Sequence, residues 1–151
     1  MIIDNVTSTA VLILGRFKPG CKKTLDAIRN DLRARGYCPI LFDFEKPHSR
    51  DFTETVCTLA HLAKFVIADF TDARIILEEV PHIVRTVAVP VKPILLEGSE
   101  AEPVTLQNLR RNHLSVLPTY LYKNLDDLLA RMEDEIIRPS EALAKELQMR
   151  V

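Results

Sequence analysis

Short apolar runs alternate along the chain with longer stretches in which apolar residues recur every third or fourth position. Val11-Leu12-Ile13-Leu14 is apolar throughout and ends at Gly15. A run apolar on both faces suits a central parallel strand. From Cys21 to Arg35, Leu25, Ile28 and Leu32 keep helical spacing, and Gly36 fits a helix C-terminal cap. Cys38 to Phe44 reads as a second strand, and Phe52 to Ala63 as a helix with Val56, Leu59 and Ala60 on one face. Phe65-Val66-Ile67-Ala68 is a third strand, ending at Asp69. Ala73 to Val87 is helical, interrupted by Pro81, and Val91 to Leu96 is a fourth strand. Val104 to Arg111 predicts a short helix, and Leu114 to Tyr122 a fifth extended segment broken by Pro118. Asn124 caps a helix that buries Leu125, Leu128, Leu129, Met132 and Ile136. Pro139 is expected to break that helix, and Ser140 to cap a final short one.

Five such strands alternating with helices predict one α/β domain over residues 1–151, a parallel sheet covered on both faces. The common five-stranded order is 2-1-3-4-5, with a ligand site at the carboxyl ends of strands one and three, where the winding reverses. Gly15-Arg16-Phe17, Asp43-Phe44 and Asp69-Phe70-Thr71-Asp72 lie at those ends, so topology alone brings three polar loops together.

Composition narrows the chemistry. The 151 residues carry 20 Lys plus Arg against 21 Asp plus Glu, a formal net charge of -1. No basic excess points to nucleic acid or to an anionic lipid surface. Every apolar run is far too short to cross a bilayer, and Asp4 follows Ile2-Ile3 at once, unlike a signal peptide. A cytoplasmic protein is the expectation. Cys21, Cys38 and Cys57 form no CxxC, and the four histidines form no HxxxH or HExxH. Reduced, mostly buried thiols and no metal site are therefore expected.

The stretch from Phe65 to Val80 is the most informative. An apolar strand runs into a carboxylate, a polar turn, and a helix bearing Glu78 and Glu79. It resembles the TIR domains and the nucleoside 2-deoxyribosyltransferase-like proteins. The latter pattern is an apolar strand, Ala-Asp, a turn, then Glu followed by an apolar residue. Ala68-Asp69, Asp72 and Glu79-Val80 match that outline. The chain departs from the TIR pattern in having no Trp, and from the deoxyribosyltransferase-like one in Glu78 where an aromatic is common and in Pro81 where Gly is usual. The resemblance implies a flavodoxin-like fold, and an NAD nucleosidase or cyclase working in immune or antiphage signalling. NAD would be the substrate, with no further cofactor, and assembly through the domain would be the switch. The alternatives are a deoxyribosyltransferase-like N-glycosidase, and a non-catalytic module that binds a nucleotide or self-associates.

Helix geometry separates the two glutamates. At about 100° per residue, Ile76, Val80, Ile83, Val84 and Val87 share one face, which Glu79 flanks. Glu78 falls nearly opposite, with His82 and Arg85. Glu79 is the candidate catalytic residue, since a carboxylate beside a ribose ring stabilises the oxocarbenium-like charge of N-glycoside cleavage. Gly15 would let a ligand approach the backbone, Arg16 could pair with a pyrophosphate, and Phe17 could stack on a base. Asp43 could hold a ribose hydroxyl, and Asp69 and Asp72 complete the candidate binding set. A phosphoreceiver reading fails on the first loop, where Gly15-Arg16 stands in place of an acidic magnesium-binding pair.

Overall fold

A computed structural model describes residues 9–16, 19–43, 50–71, 76–99 and 101–149; within it the side chains of 19, 43, 50–53 and 76–79 are outside the description. Five strands, β1 (Ala10–Gly15), β2 (Cys38–Asp43), β3 (Phe65–Asp69), β4 (Val91–Leu96) and β5 (Tyr120–Tyr122), form one sheet. Their order is β2-β1-β3-β4-β5, and every pairing is parallel. The helices are α1 (Pro19–Ala34), α2 (Arg50–Leu62), α3 (Ile76–Thr86), α4 (Val104–Asn112) and α5 (Leu125–Ala130). A π-helical stretch, Met132–Ile137, then leads into α6 (Arg138–Met149).

The continuous apolar runs are buried on both faces, as a central parallel strand requires. Leu12, Leu14, Val66 and Ala68 pack against Val56 and Ala60 of α2, Val80, Ile83 and Val84 of α3, and Leu106 and Leu109 of α4. Val11, Ile13, Phe65 and Ile67 face the other way, onto Leu25, Ile28 and Leu32 of α1, Leu128 of α5, and Met132 and Ile136. Gly36 closes α1 with φ of 91°, and the N–H of Tyr37 donates to the Leu32 carbonyl at 3.0 Å. Asn124 caps α5 as expected, its side chain accepting from the N–H of Asp127 at 2.8 Å.

Several expectations are corrected. Pro81 does not interrupt α3, which runs unbroken from Ile76 to Thr86. Burial of Val80, Ile83 and Val84, roughly 1.5–3 kcal/mol for each side chain, outweighs a proline penalty of about 3 kcal/mol. Pro139 does not break the C-terminal helix either. It falls in the first turn of α6, where a missing N–H costs little, after a π-helical stretch that changes the hydrogen-bond spacing. Ser140 is not a cap but a buried member of that helix, its hydroxyl donating to the Ile136 carbonyl at 2.6 Å.

The fifth segment is a strand only over Tyr120–Tyr122, with one isolated bridge between Val116 and Val91. Pro118 cannot donate to a ladder. Its carbonyl accepts instead from Lys92 Nζ at 2.6 Å, and that of Leu117 from Arg110 Nε at 3.3 Å. Lys92 is only 4% exposed, and burial pulls its amine down to about 8. The thiols are not mostly buried: Cys38, at the amino end of edge strand β2, is exposed, and Cys21 and Cys57 are half-buried. No described helix is long and apolar enough to cross a membrane.

Candidate functional site

The winding reverses between β1 and β3, so the cleft-forming edge lies at their carboxyl ends. Register aligns the polar residues there. Gly15 pairs with Asp43 across β1 and β2, Leu14 pairs with Ala68 across β1 and β3, and Asp69 with Ile94 across β3 and β4. The backbones of Gly15, Asp43 and Asp69 therefore end on one rim, and half-buried Arg16 follows Gly15 directly. Phe17 and Asp72 lie outside the described residues. Asp43 and Glu79 are placed by backbone alone.

Gly15 has a packing reason to be glycine. A Cβ there would come within 2.7 Å of a Leu25 methyl group, and Leu25 is fully buried. Its Cα surface is thus occupied by α1, which seats the start of that helix tightly on the end of β1.

Asp69 is the best-defined polar group of the rim. It is 2% exposed and belongs to the α1-facing layer. The Thr71 N–H donates to its Oδ1 at 3.0 Å, a local turn of the kind Asp readily forms. The Tyr122 hydroxyl, at the end of β5, reaches its Oδ2 at 3.4 Å and lies 3.2 Å from Thr71 Oγ1. Thr71 Oγ1 also accepts from the N–H of Leu96 at 3.0 Å, and the Thr71 carbonyl is 3.9 Å from Cys21 Sγ. Burial pushes the Asp69 carboxyl up to about 6, against the opposing pull of these hydrogen bonds. Burial and the neighbouring carboxylate raise the Tyr122 phenol, which stays protonated and able to donate.

Helix α3 leads away from this rim. His82 and Arg85, which share the helical stripe of Glu78, are exposed, while Ile83, one turn beyond Glu79, is 1% exposed. The described part of the helix thus turns Val80, Ile83 and Val84 to the core and His82 and Arg85 outward. Glu79, like Asp43 and Asp69, belongs to an element that starts or ends at this rim, and Arg16 directly follows another.

Sequence reasoning passed over Thr71, Tyr122 and Leu25. Thr71 had a local signal, since it stands two residues after a strand-end Asp. Tyr122 had none, because 53 residues separate it from its partner carboxylate. No group of three His, Cys, Asp or Glu side chains among the described residues is arranged to hold a metal ion.

No protein-family model matches the chain, and no curated protein does. Solved structures do. A diflavin flavoprotein A3 from Nostoc sp. superposes with a TM-score of 0.58 at 15% identity, covering 92% of each chain. The flavodoxin-like domain of a Synechococcus sp. protein also gives 0.58, at 12% identity, over 93% of this chain and 94% of the other. At such identities the likeness shows the fold alone: the chain is a flavodoxin-like α/β sandwich.

Proposed function

We propose that this chain is a TIR-like, nucleotide-handling domain that cleaves the N-glycosidic bond between nicotinamide and ribose in NAD. The observation that carries the reading is the convergence of Gly15, Asp43 and Asp69 on the switch-point rim, with helix α3 and Glu79 leading from it. In such a site, the bond from the ribose anomeric carbon to the nicotinamide nitrogen breaks, and its electron pair neutralises the pyridinium. Glu79 holds the oxocarbenium-like ribosyl cation by charge. Water then adds to give ADP-ribose, or the adenine attacks to give a cyclic product. Arg16 meets the pyrophosphate, Phe17 a base, and Asp43 and Asp72 the ribose hydroxyls. Asp69 supports the rim from beneath. Signalling by self-association of the domain accompanies this reading.

Incubating the protein with NAD, and separately with deoxynucleosides plus a free acceptor base, tests it. Nicotinamide release supports the NAD reading, and base exchange would move the assignment to a deoxyribosyltransferase-like enzyme. No reaction with either, at high protein concentration, would leave a binding module.

A second reading, flavin binding, is favoured by the flavoprotein among the solved neighbours. Among the described residues, Phe70 and Tyr122 are each 3% exposed and offer no face to a stacked ring, while Phe42, next to Asp43, is half-buried.

A further inference from the structure

We infer that Tyr122 is a positioning residue for the switch-point rim, its hydroxyl linking Thr71 to the carboxylate of Asp69. The inference rests on the nucleotide-site reading of that rim, but its geometry is independent of Glu79.

The hydrogen bonds around Asp69 admit one continuous direction. The Leu96 N–H occupies an acceptor position on Thr71 Oγ1. The Thr71 hydroxyl is then free to donate to Tyr122, and the Tyr122 hydroxyl to donate to Asp69 Oδ2. The Thr71 N–H closes the ring on Oδ1. A chain of donors thus runs from β4 through the β3 turn and β5, and ends on one buried carboxylate. Each hydroxyl polarises the next, so the chain favours the ionised form of Asp69 more than a single contact would. The arrangement also ties the turn that leads into α3 to the ends of two further strands. Tyr122 is 3% exposed and belongs to the same core layer as Asp69, so its hydroxyl is held from behind by packing.

Among the described residues, the groups around Asp69 come from three places. Thr71 sits on its own turn, Tyr122 comes from β5, and Cys21 from the first turn of α1 lies against the Thr71 carbonyl. Desolvation opposes ionisation, and the hydroxyls of Thr71 and Tyr122 assist it. Removing the Tyr122 hydroxyl takes away a donor to the charged form, so the Asp69 carboxyl must become harder to ionise.

The test is Tyr122→Phe, read by carbon-13 NMR titration of the side-chain carboxyls in the 151-residue chain, with Asp69→Asn identifying the Asp69 signal. The expected result is an Asp69 midpoint raised by about one pH unit in Tyr122→Phe, the scale of one lost hydrogen bond to a buried carboxylate. An unchanged midpoint in a folded Tyr122→Phe protein would overturn the inference. If Tyr122→Phe does not fold, Thr71→Val interrupts the same chain and is expected to raise the midpoint too; an unchanged midpoint there overturns it equally. Where NAD is cleaved, the acid limb of kcat against pH should move upward with the midpoint, while KM changes less than about twofold. A shifted midpoint in a protein that cleaves no NAD upholds the positioning chain and counts against the nucleosidase reading alone.

Discussion

At the amino edge of the sheet, Lys64 and Tyr37 both reach Glu141 of α6, each at 2.7 Å, with the Lys64 and Glu141 side chains about one-third exposed. At the carboxyl edge, Asp69 is 2% exposed and, among the described residues, is met by the uncharged donors of Thr71 and Tyr122. The amino edge pairs opposite charges at a wet rim, where each pair contributes up to about 1 kcal/mol and can be lost cheaply. The carboxyl edge buries a charge without a counter-charge among those donors, and so gives up stability. Folded chains keep such groups mainly where a site needs them, which is why the carboxyl edge is read as the functional one.

The largest effect that sharpens this contrast is on Asp69. Its carboxyl sits at about 6 when folded, against 3.8 for the free side chain. Between those values the folded state binds more protons than the unfolded state. Stability therefore falls as pH rises from about 4 to about 6, and the loss is complete above that range. A shift of this size corresponds to about 3 kcal/mol as an upper figure. Asp69→Asn, which keeps an acceptor for the Thr71 N–H, should be more stable than wild type at pH 7 by roughly 1–3 kcal/mol. Its stability should also be flat over that pH range. Urea unfolding at several pH values measures both, and a loss of stability at pH 7 would break the comparison.

Gly15→Ala comes next. The new methyl group would press on Leu25 at 2.7 Å inside a filled core. Overpacking of this kind typically costs about 1–3 kcal/mol, and the Leu25 side chain must move aside. A melting temperature equal to wild type would show that Gly15 is not needed for packing, and would return it to a role in ligand approach.

Smallest is Lys64→Ala at the opposite edge. The loss should stay under about 1 kcal/mol, and moderate salt should weaken the wild-type pair by a similar amount. A loss of several kcal/mol would make the amino edge the more demanding of the two.

The sheet was legible because its inner strands are covered on both faces. Val11–Leu14 and Phe65–Ala68 are apolar at every position, and only a parallel strand covered on both faces asks for that. The loops between them fixed the switch point once the order was assumed. What the sequence hid was of two kinds. Prolines 81, 118 and 139 look alike along the chain but meet different surroundings. Pro81 is carried by core burial, Pro139 by a π-helical stretch before it, and Pro118 by two cations on the carbonyls around it. The second kind is long-range: Tyr122 reaches Asp69 across β4, and Leu25 fills the space beside Gly15. No spacing along the chain encodes either contact. At the site, the rim and the setting of α3 could be anticipated from periodicity. The inward use of Asp69 could not, since a strand-end Asp reads as a loop residue until its burial is seen.

The most direct test of the central claim compares Glu79→Gln with Glu78→Gln. Both substitutions keep side-chain volume and remove one charge from the same helix, and NAD cleavage and thermal unfolding are followed in parallel with wild type. The account predicts that all three proteins fold and that Glu78→Gln retains activity. Glu79→Gln should lose at least about a hundredfold in rate, the scale of one electrostatic contact to the transition state. Equal rates in wild type and folded Glu79→Gln would contradict it.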